Sequence, residues 1–421
     1  MSLNSERRIR SSARIIESVR ADERTGSARR HRHFRRQSWA PGADRERVDS
    51  VLSQSGRAGA NSMTRLILAA DDPSAGALRR GGFADLVVPI LHRFVWGPLP
   101  SDAELSAYLV QRTARPKRGH WLDFASRGDF MAVGGRSQSF LELVDRCDSV
   151  ELWMGTRPND QLVLIWLLDY LRHHAEIATK IVLRHVDVPL SDAPAGRLAG
   201  RTIAGVELAR EHLDLGHLAW QAFRAPTPQA WFDLLKQDLS ALPQLRRCVQ
   251  EMLDELPGVA TGLGASELRI LELLSAGYQH PFDLLPHHRD RFQRRVYDYW
   301  EGGALLDGLA LAPAPAISGL AERPFSVEMH DSRERLERYK ASTLSLTPLG
   351  KAILAGEEDF SSHNPIRRWW GGTELINANL WRWHAVLIAP DPGTPHVIDC
   401  REPWRPIHWN MCEEAYSAAW A

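Results

Sequence analysis

The sequence predicts an α/β N-terminal domain on a mostly parallel, Rossmann-like sheet, then a helical connector and a winged-helix-like α+β domain. Three observations lead there. Short β-prone apolar runs alternate with helical patterns over residues 63–204, the order of a parallel sheet covered by helices. Over residues 205–258 only helical signals remain. Helices followed by a short strand and a closing helix then occupy residues 265–356, ahead of a Trp-rich segment at 357–421. A chain of 421 residues with 44% hydrophobic residues has length and apolar material for two or three domains.

In chain order, Thr64–Ala70 is a compact β-prone run, followed by Asp71-Asp72-Pro73-Ser74 and a helical stretch that Gly81-Gly82 ends. Phe83–Pro89 reads as the second strand. Ser101-Asp102-Ala103-Glu104 is a capping box opening a helix through Leu105 and Tyr108. Phe140–Cys147 is helical, Val150–Met154 a strand, Asp160–His174 a helix and Lys180–Val186 a strand. Beyond these, Thr227-Pro228 and Leu242-Pro243 place proline at helix starts, and Ser266 is the expected cap of the next helix. Arg289–Trp300 reads as its partner helix, Thr343–Leu346 as a short strand, and Thr347-Pro348 as the start of a closing helix.

The charge is unevenly placed. Residues 1–62 hold 14 Arg and no Lys against 7 acids, a net +7, and the remainder, 38 basic and 45 acidic residues, carries −7. Without apolar periodicity, residues 1–62 are expected to be a disordered Arg-rich extension or sequence ahead of a true start at Met63. The four cysteines form no CxxC pair, and no apolar run reaches the ~20 residues of a membrane span. A cytoplasmic protein with no membrane role is expected.

Several motifs resemble, in order and spacing, an uncharacterised bacterial domain-of-unknown-function family noted for N-terminal aspartates. They are the opening strand with Asp71 and Asp72, Trp96-Gly97-Pro98-Leu99-Pro100, Glu151-Leu152-Trp153 leading to Asp160-Gln161-Leu162, and Leu346-Thr347-Pro348-Leu349-Gly350. Asn364-Pro365-Ile366-Arg367-Arg368-Trp369-Trp370-Gly371-Gly372 and Leu380-Trp381-Arg382-Trp383 complete the series. The resemblance implies a fold plan, and a polar site that this chain has partly lost. Relatives carry an acid at His92, a histidine–acid pair near Val95 and Trp96, and an acid–histidine–acid cluster at Gly155-Thr156-Arg157.

In an open parallel sheet, ligands bind beyond the carboxyl ends of the strands. That places Asp71, Asp72, Ser74, His92, Trp96, Gly97, Arg157, Asp160 and Gln161 at a candidate small-anion or nucleotide crevice. Ser74 lies near a helix N-terminus, and Arg157 offers a bidentate partner to phosphate or carboxylate. The competing account is that Asp72 or Ser74, and Asp160, only cap their helices. A Mg²⁺ ion held by Asp71, Asp72 and Asp160 is a further alternative.

Arg291, Arg294 and Arg295 on the second winged-helix-like helix are the nucleic-acid candidates. Seven of fifteen tryptophans follow residue 368. With Arg368, Gly371, Gly372, Trp381 and Trp383, Trp369 belongs to an expected aromatic plug that clips the C-terminal segment in place. No Walker loop, HExxH or GxSxG is present. The expectation is a non-catalytic regulator with an anion crevice and a DNA- or protein-docking domain. The alternatives are an enzyme acting on phosphorylated or nucleotide-like substrates through Asp71, Asp72 and Asp160, and a structural adaptor.

Overall fold

The computed structural model describes residues 65–110, 139–187, 203–285 and 296–383, with the backbone of 398–399. The Arg-rich head, the three candidate arginines (Arg291, Arg294, Arg295) and Trp404, Trp409 and Trp420 lie outside the described residues.

β1 (Arg65–Ala69) leads to α1 (Asp72–Arg80), β2 (Leu86–Pro89), α2 (Asp102–Leu109) and α3 (Phe140–Arg146). β3 (Ser149–Met154), α4 (Pro158–Leu171), the short α5 (Ala175–Ala178) and β4 (Ile181–His185) follow. Strands and longer helices overlap the runs predicted for them. The capping box forms as expected: the Ser101 hydroxyl accepts from the Glu104 amide at 3.3 Å, and the Glu104 carboxylate from the Ser101 amide at 2.8 Å.

β2, β1, β3 and β4 lie side by side and parallel, with Ile67 flanked by Val87 and Glu151. The chain leaves β1 for a neighbour on one side and later returns to the other, so the switch point lies between the carboxyl ends of β1 and β3. A fifth strand, β5 (Gly205–Glu207), closes the far edge antiparallel to β4. This corrects the expectation of helices alone after residue 204. Three exposed residues make no alternating pattern, and the strand exists only because β4 offers it an edge.

Leu66, Leu68, Val150, Leu152, Ile181 and Leu183 face the main core beneath α4. Ile67, Val87 and Trp153 meet Ala75 and Leu78 of α1 on the opposite face. There Glu151, 4% exposed, accepts from Trp153 Nε1 at 2.7 Å, Arg184 Nε at 2.6 Å and Arg65 Nη2 at 2.8 Å. Burial alone raises the pKa of this carboxyl. The bonds from Arg184 and Trp153 and the charges of Arg65 and Arg184 outweigh that and hold it low.

α4 is buried on all sides from Pro158 to Leu168, because α6 (Arg210–Arg224) covers the side that the sheet does not. The crossing is close at Gly216, where a Cβ would come within 2.3 Å of Leu168 Cβ.

α7 (Gln229–Asp233), α8 (Leu245–Leu253), α9 (Ala265–Ser275) and α10 (Pro281–Leu284) continue the same core. Gly264 caps α9, so Ser266 is not the cap expected of it. Its hydroxyl and amide bond the buried Glu255 at 2.6 and 3.2 Å. The second helix also differs from expectation. Residues 286–295 lie outside the described set, and α11 runs from Tyr299 to Leu311. Then come β6 (Ile317–Ser318), α12 (Val327–Asp331), α13 (Arg333–Lys340), β7 (Ser345–Leu346), antiparallel to β6, and α14 (Pro348–Leu354).

After α15 (Phe360–His363), β8 (Arg367–Trp370) and β9 (Thr373–Ile376) form a hairpin, and β10 (Trp381–Arg382) pairs with β11 (Ile398–Asp399). Trp370 donates to Met252 O at 2.7 Å and packs on Phe223 and Trp231. Trp383 donates to Asp254 at 2.9 Å, and Arg368 pairs with Glu267 at 2.8 Å. The hairpin turn, with Gly371 at φ +53°, presses on the end of α6, where a Cβ on Gly372 would sit 2.0 Å from Arg224 O. Trp370, Trp381 and Trp383 are buried, whereas Trp369 is exposed. Among the described residues no helix is long and apolar enough to cross a membrane.

Candidate functional site at the sheet switch point

Asp71 ends the turn after β1, and Gly155–Asp160 follow β3, so the switch point brings them together. The helix α1 is capped by Asp71, not by Asp72 or Ser74: Asp71 Oδ1 accepts from the Ser74 amide at 2.6 Å. That amide is therefore already engaged. Asp72 is largely exposed and lies 3.7 Å from Arg79, apart from the crevice.

Arg157 is the N-cap residue of α4 and makes no side-chain cap bond. Its Nη1 lies 3.4 Å from Asp71 Oδ2 and 3.6 Å from Asp298 Oδ2. Arg93, after β2, donates to Glu301 at 2.8 Å. Glu301 in turn accepts from the Asp298 amide at 3.0 Å, closing the first turn of α11. Two arginines at the sheet edge thus meet two acids at one helix N-terminus. Arg93, Arg157, Asn159, Val296, Tyr297 and Asp298 line the cleft between them, which contains no water-sized void.

Asp160 lies in the first turn of α4 at 3% exposure. It is not the helix cap. Burial, then the nearby Asp71 carboxylate, push its carboxyl up to about 7, against the opposing pull of Arg157, Arg93 and the Gly155 amide. A carboxyl poised there exchanges its proton at neutral pH.

The other expected residues divide. Gln161 is fully buried, donates to Gly155 O at 2.7 Å, and leaves Oε1 with no hydrogen-bond partner. Trp96 reaches the crevice edge-on to Tyr297, with ring centroids 5.5 Å apart, and Gly97 takes the left-handed φ of +73° in the turn behind it. His92 turns away into an aromatic cluster with Phe94, Tyr108 and Trp166. Burial lowers its pKa to about 4, so the ring is neutral. Its carbonyl accepts from Asn159 Nδ2 at 2.9 Å.

Sequence reasoning missed Arg93, Asn159, Tyr297 and Glu301. The pair Asp298-x-x-Glu301 carried a readable signal, the spacing of a capping box. Arg93 carried none. Among the described residues no group of three His, Cys, Asp or Glu side chains is arranged to hold a metal ion, and Asp72 cannot complete one with Asp71 and Asp160. No protein-family model matches the chain, and no curated protein matches it.

Proposed function

We propose that the protein is a cytoplasmic, ligand-responsive regulator in which a small anion competes for the arginine latch between the sheet edge and α11. The observation carrying this reading is that Arg93 and Arg157, from two different strand ends, both meet acids at the start of α11. The Arg157 contacts to Asp71 and Asp298, at 3.4 and 3.6 Å, are longer than a tight charge-assisted hydrogen bond. A phosphate or carboxylate would offer its guanidinium a better, bidentate partner. Release of Asp298 and Glu301 would then shift α11 within a winged-helix-like domain that docks to DNA or a protein, with Arg291, Arg294 and Arg295 as its phosphate contacts.

The ligand step is tested by calorimetric titration of the full-length chain with inorganic phosphate and a nucleoside monophosphate. Saturable binding, weakened at least tenfold by Arg157→Ala, is expected. If neither anion binds at millimolar concentration, the crevice is not an anion site. The docking step is tested by salt titration of duplex DNA binding, whose affinity should fall steeply with salt.

A second reading follows from Asp160. With its proton exchanging near neutrality beside Asp71, it suits general acid–base chemistry on a phosphorylated or nucleotide-like substrate. Turnover of such substrates by the wild type, abolished in Asp160→Asn, is the expected result. Absence of any turnover removes this reading and leaves the regulator.

A further inference from the structure

Asp160 differs from the other acids around the arginine latch. Asp71 caps α1 through Oδ1 and lies beside Arg157 through Oδ2. Asp298 reaches Arg157 at 3.6 Å, and Glu301 accepts from Arg93 at 2.8 Å. Asp160 is 3% exposed, yet among the described residues it forms no ion pair. Arg157 and Arg93 act on it only across space, against the like charge of Asp71.

Among the described residues, four carboxyl groups thus share two guanidiniums. The other titratable groups facing Asp160 are neutral or already paired. The His92 ring, after β2, is kept uncharged by burial. On α8, burial, then Glu251 and Asp160, push the Cys248 thiol well up, and Arg247 bonds Glu251 at 2.8 Å. Tyr297, before α11, is likewise held protonated by burial. With every acid ionised, the cluster would carry two negative charges in excess. The cheapest place to remove one is the acid that is most buried and has no bonded cation, which is Asp160.

An anion on Arg157 and Arg93 changes this balance. It brings negative charge next to Asp160 and neutralises the two cations that oppose its protonation. Both effects favour the protonated carboxyl. Linkage is reciprocal, so ionisation of Asp160 weakens anion binding by the same factor by which the anion tightens proton binding. Burial and Asp71 already push this carboxyl up to about 7, which sets the exchange within neutral pH.

We infer that the crevice takes up its anion together with a proton carried by Asp160, so that it binds an oxyanion more tightly on the acid side of neutrality. This rests on the anion reading of the arginine latch. The proton comes from solvent, and no covalent bond of the ligand forms or breaks. Asp160 acts on the anion through Arg157 and Arg93 and is a positioning residue. The protein then responds to anion concentration and pH jointly.

The test is calorimetric titration of the full-length chain with sodium sulfate, which keeps its charge across neutral pH whereas phosphate changes its own. Affinity should fall about tenfold between about pH 6 and about pH 8. Repeating the titration in buffers of different ionisation heat counts protons without any variant, and net uptake is expected at the higher pH. In Asp160→Asn the pH dependence should be lost. Asp71→Asn, which can still cap α1, removes the neighbouring charge and should move the fall to lower pH. If sulfate binds the wild type equally at both pH values, or without proton uptake, the anion site stands and the coupling is overturned. An unchanged fall in Asp160→Asn also overturns it. If neither sulfate nor phosphate binds at millimolar concentration at either pH, the anion reading fails and the coupling falls with it.

Discussion

Arg93 and Glu301 are bonded at 2.8 Å although 208 residues separate them in the chain. Glu301 is nearly buried and also holds the Asp298 amide, whereas the Arg93 side chain is about a third exposed. The two ends of the pair therefore have unequal consequences. Glu301→Ala strips a partly buried guanidinium of its partner and uncaps α11, costing about 2–4 kcal/mol. Arg93→Ala leaves the nearly buried Glu301 carboxylate without its counter-ion and should cost more, about 3–5 kcal/mol, because water reaches the guanidinium end of the pair but not the acid. Urea unfolding of the two variants measures the difference.

Asp160 makes stability depend on pH in a stated direction. Its folded pKa, near 7, lies above its ordinary value of 3.8, so the native state holds the proton more tightly. The associated stability is complete below about pH 4 and is lost as pH rises through about 7. Glu255, pushed by burial to about 7 despite the Ser266 bonds, acts in the same direction. Asp160→Asn is neutral at every pH. Its melting temperature should gain on the wild type between about pH 5 and pH 8, by on the order of a few kcal/mol in stability. A pH-independent difference would contradict this assignment.

Gly372 tests the clip formed by the β8–β9 hairpin. A methyl group there meets Arg224 O at 2.0 Å, and backbone cannot step aside as a flexible side chain would. Gly372→Ala should destabilise by about 2–4 kcal/mol. Hydrogen exchange at Trp370 and Thr373 should speed up before that of the central strands, because the hairpin detaches from α6 first.

Glu151 gathers three donors from three strands on the α1 face of the sheet. Glu151→Gln keeps the shape and removes the charge, leaving Arg184 and Arg65 without their counter-ion at a cost of about 3 kcal/mol. Denaturant unfolding at neutral pH reads this directly. An unchanged midpoint would mean that water, not Glu151, balances the two guanidiniums.

Much of the scaffold was legible before any coordinates. Apolar runs such as Leu66–Ala69 and Val150–Met154 carry the parallel-sheet signal within themselves, and Ser101 and Glu104 state their own capping box. Asp71, Arg157 and Asp160 were placed at the strand ends by topology alone, and the structure puts them side by side. Roles within that group were less legible. The cap could be read as Asp72 or Ser74 because all three residues suit it, and backbone geometry assigns it to Asp71. His92 sits at the right point in the chain, yet its ring turns toward Phe94, Tyr108 and Trp166, since burying an aromatic face outweighs exposure at the crevice.

Local chemistry along the chain thus determined the order of strands and helices, several of their ends, and the edge of the sheet where a site would form. Tertiary structure alone decided what completes that edge: β5 on β4, Arg93 against Glu301, and Asp298 beside Arg157. Helical and strand periodicities repeat within a few residues and so are written in any short window of sequence. A pairing across 208 residues, or a strand formed only because a neighbour presents free backbone groups, depends on how whole elements pack. That is set by the burial of their apolar faces together, which no single window contains.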